Sequence, residues 1–214
     1  MPSPVVHVVD DDEALRRSVR FLLESVGWQV ADYGDGRAFL EQYREPAAGC
    51  ALIDVRMPRM SGLELLRELR RRGHALPVIF LTGHGDVALA VQAMKEGALD
   101  FLQKPYRDQS LLDVIEVAVR QSESALALAA QQRALGARYA QLTPREREVA
   151  HLVASGLPNK RIAQHLGISE KTVHVHRANV LDKMQAGSAA ELANQLAILR
   201  VGPDSGSPSS PAAI

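Results

Sequence analysis

"VVHVVDDDEALRRS", residues 5 to 18, joins an apolar run to three adjacent aspartates and then to an amphipathic stretch. The apolar run reads as a buried strand that stops at charge, and the segment after it as a helix packed beside that strand. The unit recurs. Further apolar runs are "WQVADY" (28 to 33), "CALID" (50 to 54), "PVIFLT" (77 to 82) and "LDFLQ" (99 to 103). Helix-like segments lie near 13 to 26, 35 to 44, 62 to 72 and 86 to 96, with another from 108. Five strands alternating with five helices predict an α/β domain around a parallel sheet, because parallel strands need crossover helices. Near-continuous apolar strands fit a sheet covered on both faces, that is, a doubly wound one.

The chain has 214 residues, 46% of them hydrophobic, enough for one large or two small cores. Its formal net charge of zero conceals a split. Residues 1 to 120 carry 15 Lys and Arg against 18 Asp and Glu, whereas residues 142 to 201 carry 8 against 5. An acidic half joined to a basic half points to two tasks, with nucleic acid a candidate partner for the second. The single cysteine, Cys50, forms no disulfide within the chain. No leader-like segment or membrane-length apolar stretch is visible, so a reduced cytoplasmic setting with no membrane partner is expected.

From 108 to about 135 the pattern stays helical, with Leu112, Ile115, Val119, Ser122, Leu126 and Ala129 at alternating spacings of three and four. This predicts a helical linker, either solvated or a weak coiled coil, since Ser122 and Ala129 make a poor seam. Only short helices follow. The end of the chain, "GPDSGSPSSPAAI", is rich in proline, glycine and serine and is expected to be disordered.

Ligands of open parallel sheets bind beyond the carboxyl ends of the strands. Those ends carry Asp10 and Asp11 on the first strand, Asp54 on the third, Thr82 on the fourth, and Lys104 followed by Pro105 on the fifth. Taken singly, an aspartate after a strand is usually a cap or turn former. Four strands delivering three carboxylates, a hydroxyl and an ammonium to one edge are hard to read as structural. Carboxylates about 4 Å apart repel by roughly 4 kcal/mol at an effective dielectric of 20, so a bound cation would be stabilising. An oxygen-only set fits Mg²⁺, and a carboxylate can act as a phosphoryl acceptor. With no histidine or cysteine at these strand ends, a permanent zinc site is disfavoured.

Residues 4 to 120 resemble the receiver domain of two-component response regulators, through "VVDDD", "LIDVRMPRMSGLELL", "LTGHGD" and "FLQKP". The resemblance implies a flavodoxin-like fold in which Asp54 accepts phosphate from a histidine kinase. It implies that Asp10, Asp11, Asp54 and the backbone carbonyl of Arg56 hold Mg²⁺. Thr82 and Lys104 would contact the phosphoryl oxygens, Phe101 would be the switch aromatic, and the Lys104–Pro105 bond would be cis. Gly83 would leave room for the phosphoryl group. Asp12, at the start of the helix, is expected to cap it.

In the basic half, "SEKTVHVHRANVLDKM" (169 to 184) opens on Ser169, a plausible N-cap, and follows the glycine turn of "HLGIS" after a helix starting near Asn159. Two helices across such a turn predict a helix-turn-helix, whose second helix enters the major groove. His174 and His176, two apart on a helix, point away from each other and cannot chelate one ion.

Residues from "LTPREREVAHLVASGLPNK" through "KMQAGSAAEL" are similar to the LuxR-type DNA-binding domain, and the whole chain to FixJ-like regulators. The resemblance implies that Thr172, His174, Val175 and Ala178 face DNA. It places Glu146 in a core-facing position, and Val173 and Ile162 between the two motif helices. Lys160, Lys171, Arg177 and Lys183 are the expected phosphate contacts. The implied division is a receiver at 1–120, a helical linker at 121–141, an all-α DNA-binding domain at 142–201 and a tail at 202–214. The implied partners are a sensor histidine kinase, promoter DNA, a second copy on phosphorylation and RNA polymerase.

Two other functions compete. A phosphatase resembling the haloacid dehalogenases would need a carboxylate two residues after its nucleophile, where this chain has Arg56, so slow loss of its own phosphate is the only hydrolysis expected. A helical half that docks protein instead of DNA would bind no promoter.

Overall fold

The computed structural model describes residues 3–44, 47–83 and 87–199. The expected disordered tail, and the "HGD" of the fourth-strand motif, lie outside the described residues. The chain divides into two compact units, Met1–Ala127 and Leu128–Ile214.

The first unit alternates strand and helix in the order β1 (Val5–Val9), α1 (Glu13–Ser25), β2 (Gln29–Tyr33), α2 (Gly36–Gln42), β3 (Gly49–Asp54), α3 (Gly62–Arg71), β4 (Val78–Thr82), α4 (Val87–Lys95), β5 (Asp100–Gln103) and the first part of α5 (Asp108–Ala140), whose remainder belongs to the second unit. The strands pair in parallel in the order β2-β1-β3-β4-β5. The order reverses at β1, so the crevice beyond the carboxyl ends of β1 and β3 is the switch point where such sheets bind ligands.

Period-two alternation divides the strand side chains between two cores. Val9, Ala51, Ile53, Val78 and Phe80 pack with Phe39, Leu65, Leu66 and Leu69 of α2 and α3. Val6, Val8, Cys50, Leu52, Ile79 and Leu81 pack with Val19 and Leu23 of α1 and with Leu111, Ile115 and Val119 of α5. Both faces of the sheet are covered, as the unbroken apolar runs require. At Gly62 the first turn of α3 presses so closely on the end of β3 that a Cβ would lie 2.4 Å from the Asp54 carbonyl oxygen.

α5 runs as one helix through Gly136 to Ala140, beyond the predicted end near 135. Much of its expected seam serves its own sheet. Ile115 and Val119 are buried in the second core, and the Ser122 hydroxyl accepts a buried 3.1 Å hydrogen bond from Gly49 N. A serine that weakens a coiled-coil seam here satisfies a strand donor.

The second unit adds α6 (Pro144–Ala154), α7 (Asn159–Leu166), α8 (Glu170–Met184) and α9 (Ala189–Leu199). Its core gathers Val149, Val153, Ile162, Val173, Val180, Met184, Leu192 and Leu196. Gly167 ends α7 in the left-handed region at φ 65°, a conformation glycine takes without penalty, and Ser169 then caps α8 by accepting from Thr172 N.

Candidate functional site: an acidic strand edge and an exposed helix face

β1, β3, β4 and β5 bring Asp10, Asp54, Thr82 and Lys104 to one edge of the sheet. Lys104 Nζ lies 2.6 Å from Asp54 Oδ1 and 2.8 Å from Asp10 Oδ2, bridging residues 50 and 94 positions away. Asp54 Oδ2 accepts from Arg56 N at 2.7 Å, and Asp10 Oδ1 accepts from Asp12 N at 2.9 Å. Asp10 is only 1% exposed. Asp12 caps α1, accepting from Ala14 N at 2.8 Å and Leu15 N at 3.2 Å. The three consecutive aspartates thus have three different surroundings, since Asp11 is exposed and lines an open groove with Arg56 and Ser61.

At this edge one ammonium serves two carboxylates, and burial acts on all three groups. Burial pushes the Asp54 carboxyl up. Hydrogen bonds from Lys104 and Arg56 pull it down, the Asp10 charge pushes it up, and the net direction is up. Burial alone would lower Lys104, but its bonds to Asp10 and Asp54 outweigh this and hold the ammonium above its ordinary value. The lysine gains from two carboxylates, while each carboxylate shares one ammonium and has one backbone N–H of its own.

Thr82 is buried at the end of β4, its Oγ1 3.5 Å from the Leu102 carbonyl oxygen. Gly83, next to it, is exposed. Phe101 on β5 is turned outward, 40% exposed. The Lys104–Pro105 peptide is cis, as the resemblance implied.

Among the described residues no three carboxylate, imidazole or thiolate side chains are gathered into a metal cage. Asp10 has both oxygens engaged by Lys104 and Asp12 N, and Asp11 stands apart from that network. The donor chemistry nevertheless fits a small hard cation. Asp54, Asp11 and the Arg56 carbonyl offer oxygen only, in a site where carboxylates outnumber ammonium groups.

In the second unit, Lys171, Thr172, His174, Val175 and Ala178 are all exposed on α8, Val175 at 51%. Lys160 is exposed on α7. Thr172 also belongs to the cap, its hydroxyl 2.8 Å from Ser169 Oγ. Arg177 is partly buried and donates from Nη1 to Asn159 Oδ1 at 3.3 Å, which ties α8 to the start of α7. Val173 and Ile162 are fully buried between the two helices.

Lys183 does not join this surface. Its ammonium lies 2.6 Å from Oε2 of Glu146, which is 4% exposed and also closes a capping box with Thr143 at the start of α6. Burial pushes the Glu146 carboxyl up, but the hydrogen bonds from Lys183 and Thr143 outweigh it and hold the group down at about 2.

The family description "Response regulator receiver domain" matches residues 6–116, and "Bacterial regulatory proteins, luxR family" matches 140–196. The chain belongs to the two-component response regulators. The regulator is 47% identical to the transcriptional regulatory protein FixJ of Bradyrhizobium diazoefficiens, over 87% of this chain and 91% of that one. It is 48% identical to the tetrathionate response regulatory protein TtrR of Salmonella typhimurium, over 87% and 89%. Among solved structures, the response regulator StyR superposes with a TM-score of 0.83 at 41% identity, covering 91% of this chain and 98% of StyR. Full-length FixJ from B. japonicum gives 0.59 at 44% identity, covering 94% and 98%. The regulator therefore pairs a receiver with a LuxR-type DNA-binding domain and is not a conventional enzyme. Among its described residues, no helix is long and apolar enough to cross a membrane.

The motifs left several supporting residues unread. Gly62 is one, and its signal is a glycine in the first turn of α3, the helix that follows β3. Sequence alone points to Lys183 as a phosphate contact, since no local pattern links it to a glutamate 37 residues earlier.

Proposed function

We propose that Asp54 accepts a phosphoryl group from a sensor histidine kinase in a Mg²⁺-dependent reaction, and that this modification switches dimerisation and sequence-specific DNA binding. The observation that carries the reading is Lys104 bridging Asp54 and Asp10 at the carboxyl edge of β1, β3 and β5. The ionised Asp54 attacks phosphorus as the bond to the donor's imidazole nitrogen breaks, and the electron pair leaves with the imidazole. Lys104, released from one of its carboxylates, and Thr82 Oγ1 then meet the new phosphoryl oxygens. Asp11, Asp54 and the Arg56 carbonyl would hold Mg²⁺, with Asp10 reaching it through water. The ion supplies positive charge to a site that has too little.

Thr82 moving toward the phosphoryl group would vacate space for Phe101 to turn inward, favouring a second conformer that exposes a dimer face on α4 and β5. A dimer would bind paired half-sites through Lys171, Thr172, His174, Val175 and Ala178 of α8, with Lys160 and Arg177 near phosphates and α9 as a second contact. RNA polymerase would be engaged at the promoter. Lys183 holds Glu146 instead. The division into receiver 1–120, linker 121–141, DNA-binding domain 142–201 and tail 202–214 belongs to the same proposal.

Footprinting on promoter DNA with acetyl phosphate and Mg²⁺ tests this reading. Protection should appear with phosphorylation, weaken with added salt, and fade in Lys171→Ala. Protection that ignores acetyl phosphate would contradict the switch, and no binding at any promoter would favour a protein-docking output.

A further inference from the structure

Beyond Val9 the pairing of β1 with its neighbours ends, and Asp10 and Asp11 leave the sheet. What holds the backbone there decides where the Asp11 carboxylate points. The Asp10 N–H donates to the Tyr33 carbonyl oxygen at 3.2 Å. The Asp10 carbonyl shares one peptide plane with the Asp11 N–H, so its direction sets the orientation of Asp11. That carbonyl accepts a 2.7 Å hydrogen bond from Arg16 Nη1.

Arg16 is an unusual occupant of its position. It lies in the first turn of α1, where the positive end of the helix disfavours cations, and its side chain is only 14% exposed. Asp32 on β2 compensates, with Oδ2 3.4 Å from Arg16 Nε, while Arg20 pairs with the other Asp32 oxygen. The guanidinium lies along Gly34, where even a Cβ would come no closer than 3.7 Å. The fork of Arg16 thus spans from a β2 carboxylate to the backbone of the acidic edge, and its polar contacts omit the carboxylates of Asp10, Asp11 and Asp54.

We propose that Arg16 is a positioning residue for divalent-cation binding: it fixes the Asp10–Asp11 peptide and so holds Asp11 at the groove it shares with Arg56, close to Asp54 in the chain. This rests on the reading of Asp11 and Asp54 as cation ligands. The sign of the effect separates it from simple electrostatics. Removing a positive charge near the site would by itself strengthen cation binding, whereas loss of positioning weakens it. A helix brace with no other role would lower stability and leave the affinity alone.

The test is Mn²⁺ titration of the full unphosphorylated chain, read by electron paramagnetic resonance. Arg16→Met should weaken Mn²⁺ binding by on the order of tenfold, as loss of an outer support of a metal ligand typically does. At saturating cation its labelling by acetyl phosphate should return close to the parent rate. Arg16→Gln, polar but too short to reach the carbonyl, should show the same loss and decides the matter if Arg16→Met does not fold. Arg16→Lys, which can donate one bond, should recover much of the affinity, and a lysine variant as weak as the methionine one would reject the carbonyl bond as the cause. Unchanged affinity in folded Arg16→Met and Arg16→Gln, with Asp11→Asn weakened, would overturn the positioning role alone. Unchanged affinity in Asp11→Asn as well would overturn the ligand reading beneath it.

Discussion

The two units each set a lysine against an enclosed carboxylate at 2.6 Å, and the carboxylates respond in opposite directions. Glu146 in the DNA-binding unit is held down at about 2, whereas Asp54 in the receiver is pushed up. The distances are the same, so distance is not the cause. Glu146 has Lys183 to itself and closes a capping box with Thr143, so its charge is fully matched. Burial is what pushes Asp54 up most; Asp54 also shares Lys104 with Asp10, whose negative charge adds to the rise. The first arrangement is what stability favours, and the second leaves an electrostatic need that an incoming cation and phosphoryl group can meet. A carboxylate matched one-to-one and a carboxylate that shares its ammonium thus differ in what a further cation could do beside them.

Glu146→Leu should break the comparison from the structural side with the largest stability effect. It removes the partner of Lys183 and one half of the capping box. A loss of about 3 kcal/mol is expected, the low end for a broken buried pair because Lys183 is partly exposed and can rehydrate. Urea unfolding of the second unit measures it, and labelling of Asp54 by acetyl phosphate should be unaffected.

Acid titration should separate the two sites by sign. Glu146 is lowered by folding from 4.5 to about 2, so its contribution is present above pH 4.5 and is lost as the pH falls toward 2. Asp54 is raised above 3.8, so its ionised form costs stability at neutral pH, and acidification through its raised value relieves that cost. Helix content followed from pH 5 to pH 2 should show the second unit losing its Glu146 contribution. A Glu146→Leu chain with the same acid midpoint as the parent would contradict this.

The smallest effect belongs to Asp12→Ala. It removes the α1 cap and should cost about 1 kcal/mol in the receiver while phosphorylation persists. Asp11→Ala, one residue earlier, should instead abolish Mg²⁺-dependent labelling. Loss of labelling in both variants would mean that the cap and the ligand have been divided wrongly.

These neighbouring aspartates also show how far sequence reaches. The five strands were legible because a sheet covered on both faces demands unbroken apolar runs, and their carboxyl ends then named Asp10, Asp54, Thr82 and Lys104. The helix-turn-helix was legible from Gly167 and Ser169, since both its turn and its cap have local chemistry. Contacts across long separations were not. Nothing near Lys183 announces Glu146, nothing near Ser122 announces Gly49 N, and the two hydrogen bonds from Lys104 to Asp10 and Asp54 exist only once β1, β3 and β5 share one sheet edge. Periodicity locates faces, and only the fold decides which charged groups share a partner.

The central claim is that Asp54 is the phosphoryl acceptor, and intact-mass measurement after incubation with acetyl phosphate and Mg²⁺ tests it most directly. The parent chain should gain one phosphoryl group, while Asp54→Asn should gain none and remain at least as stable in urea, because the amide no longer competes with Asp10 for Lys104. An Asp54→Asn chain that gains the same mass would contradict the account.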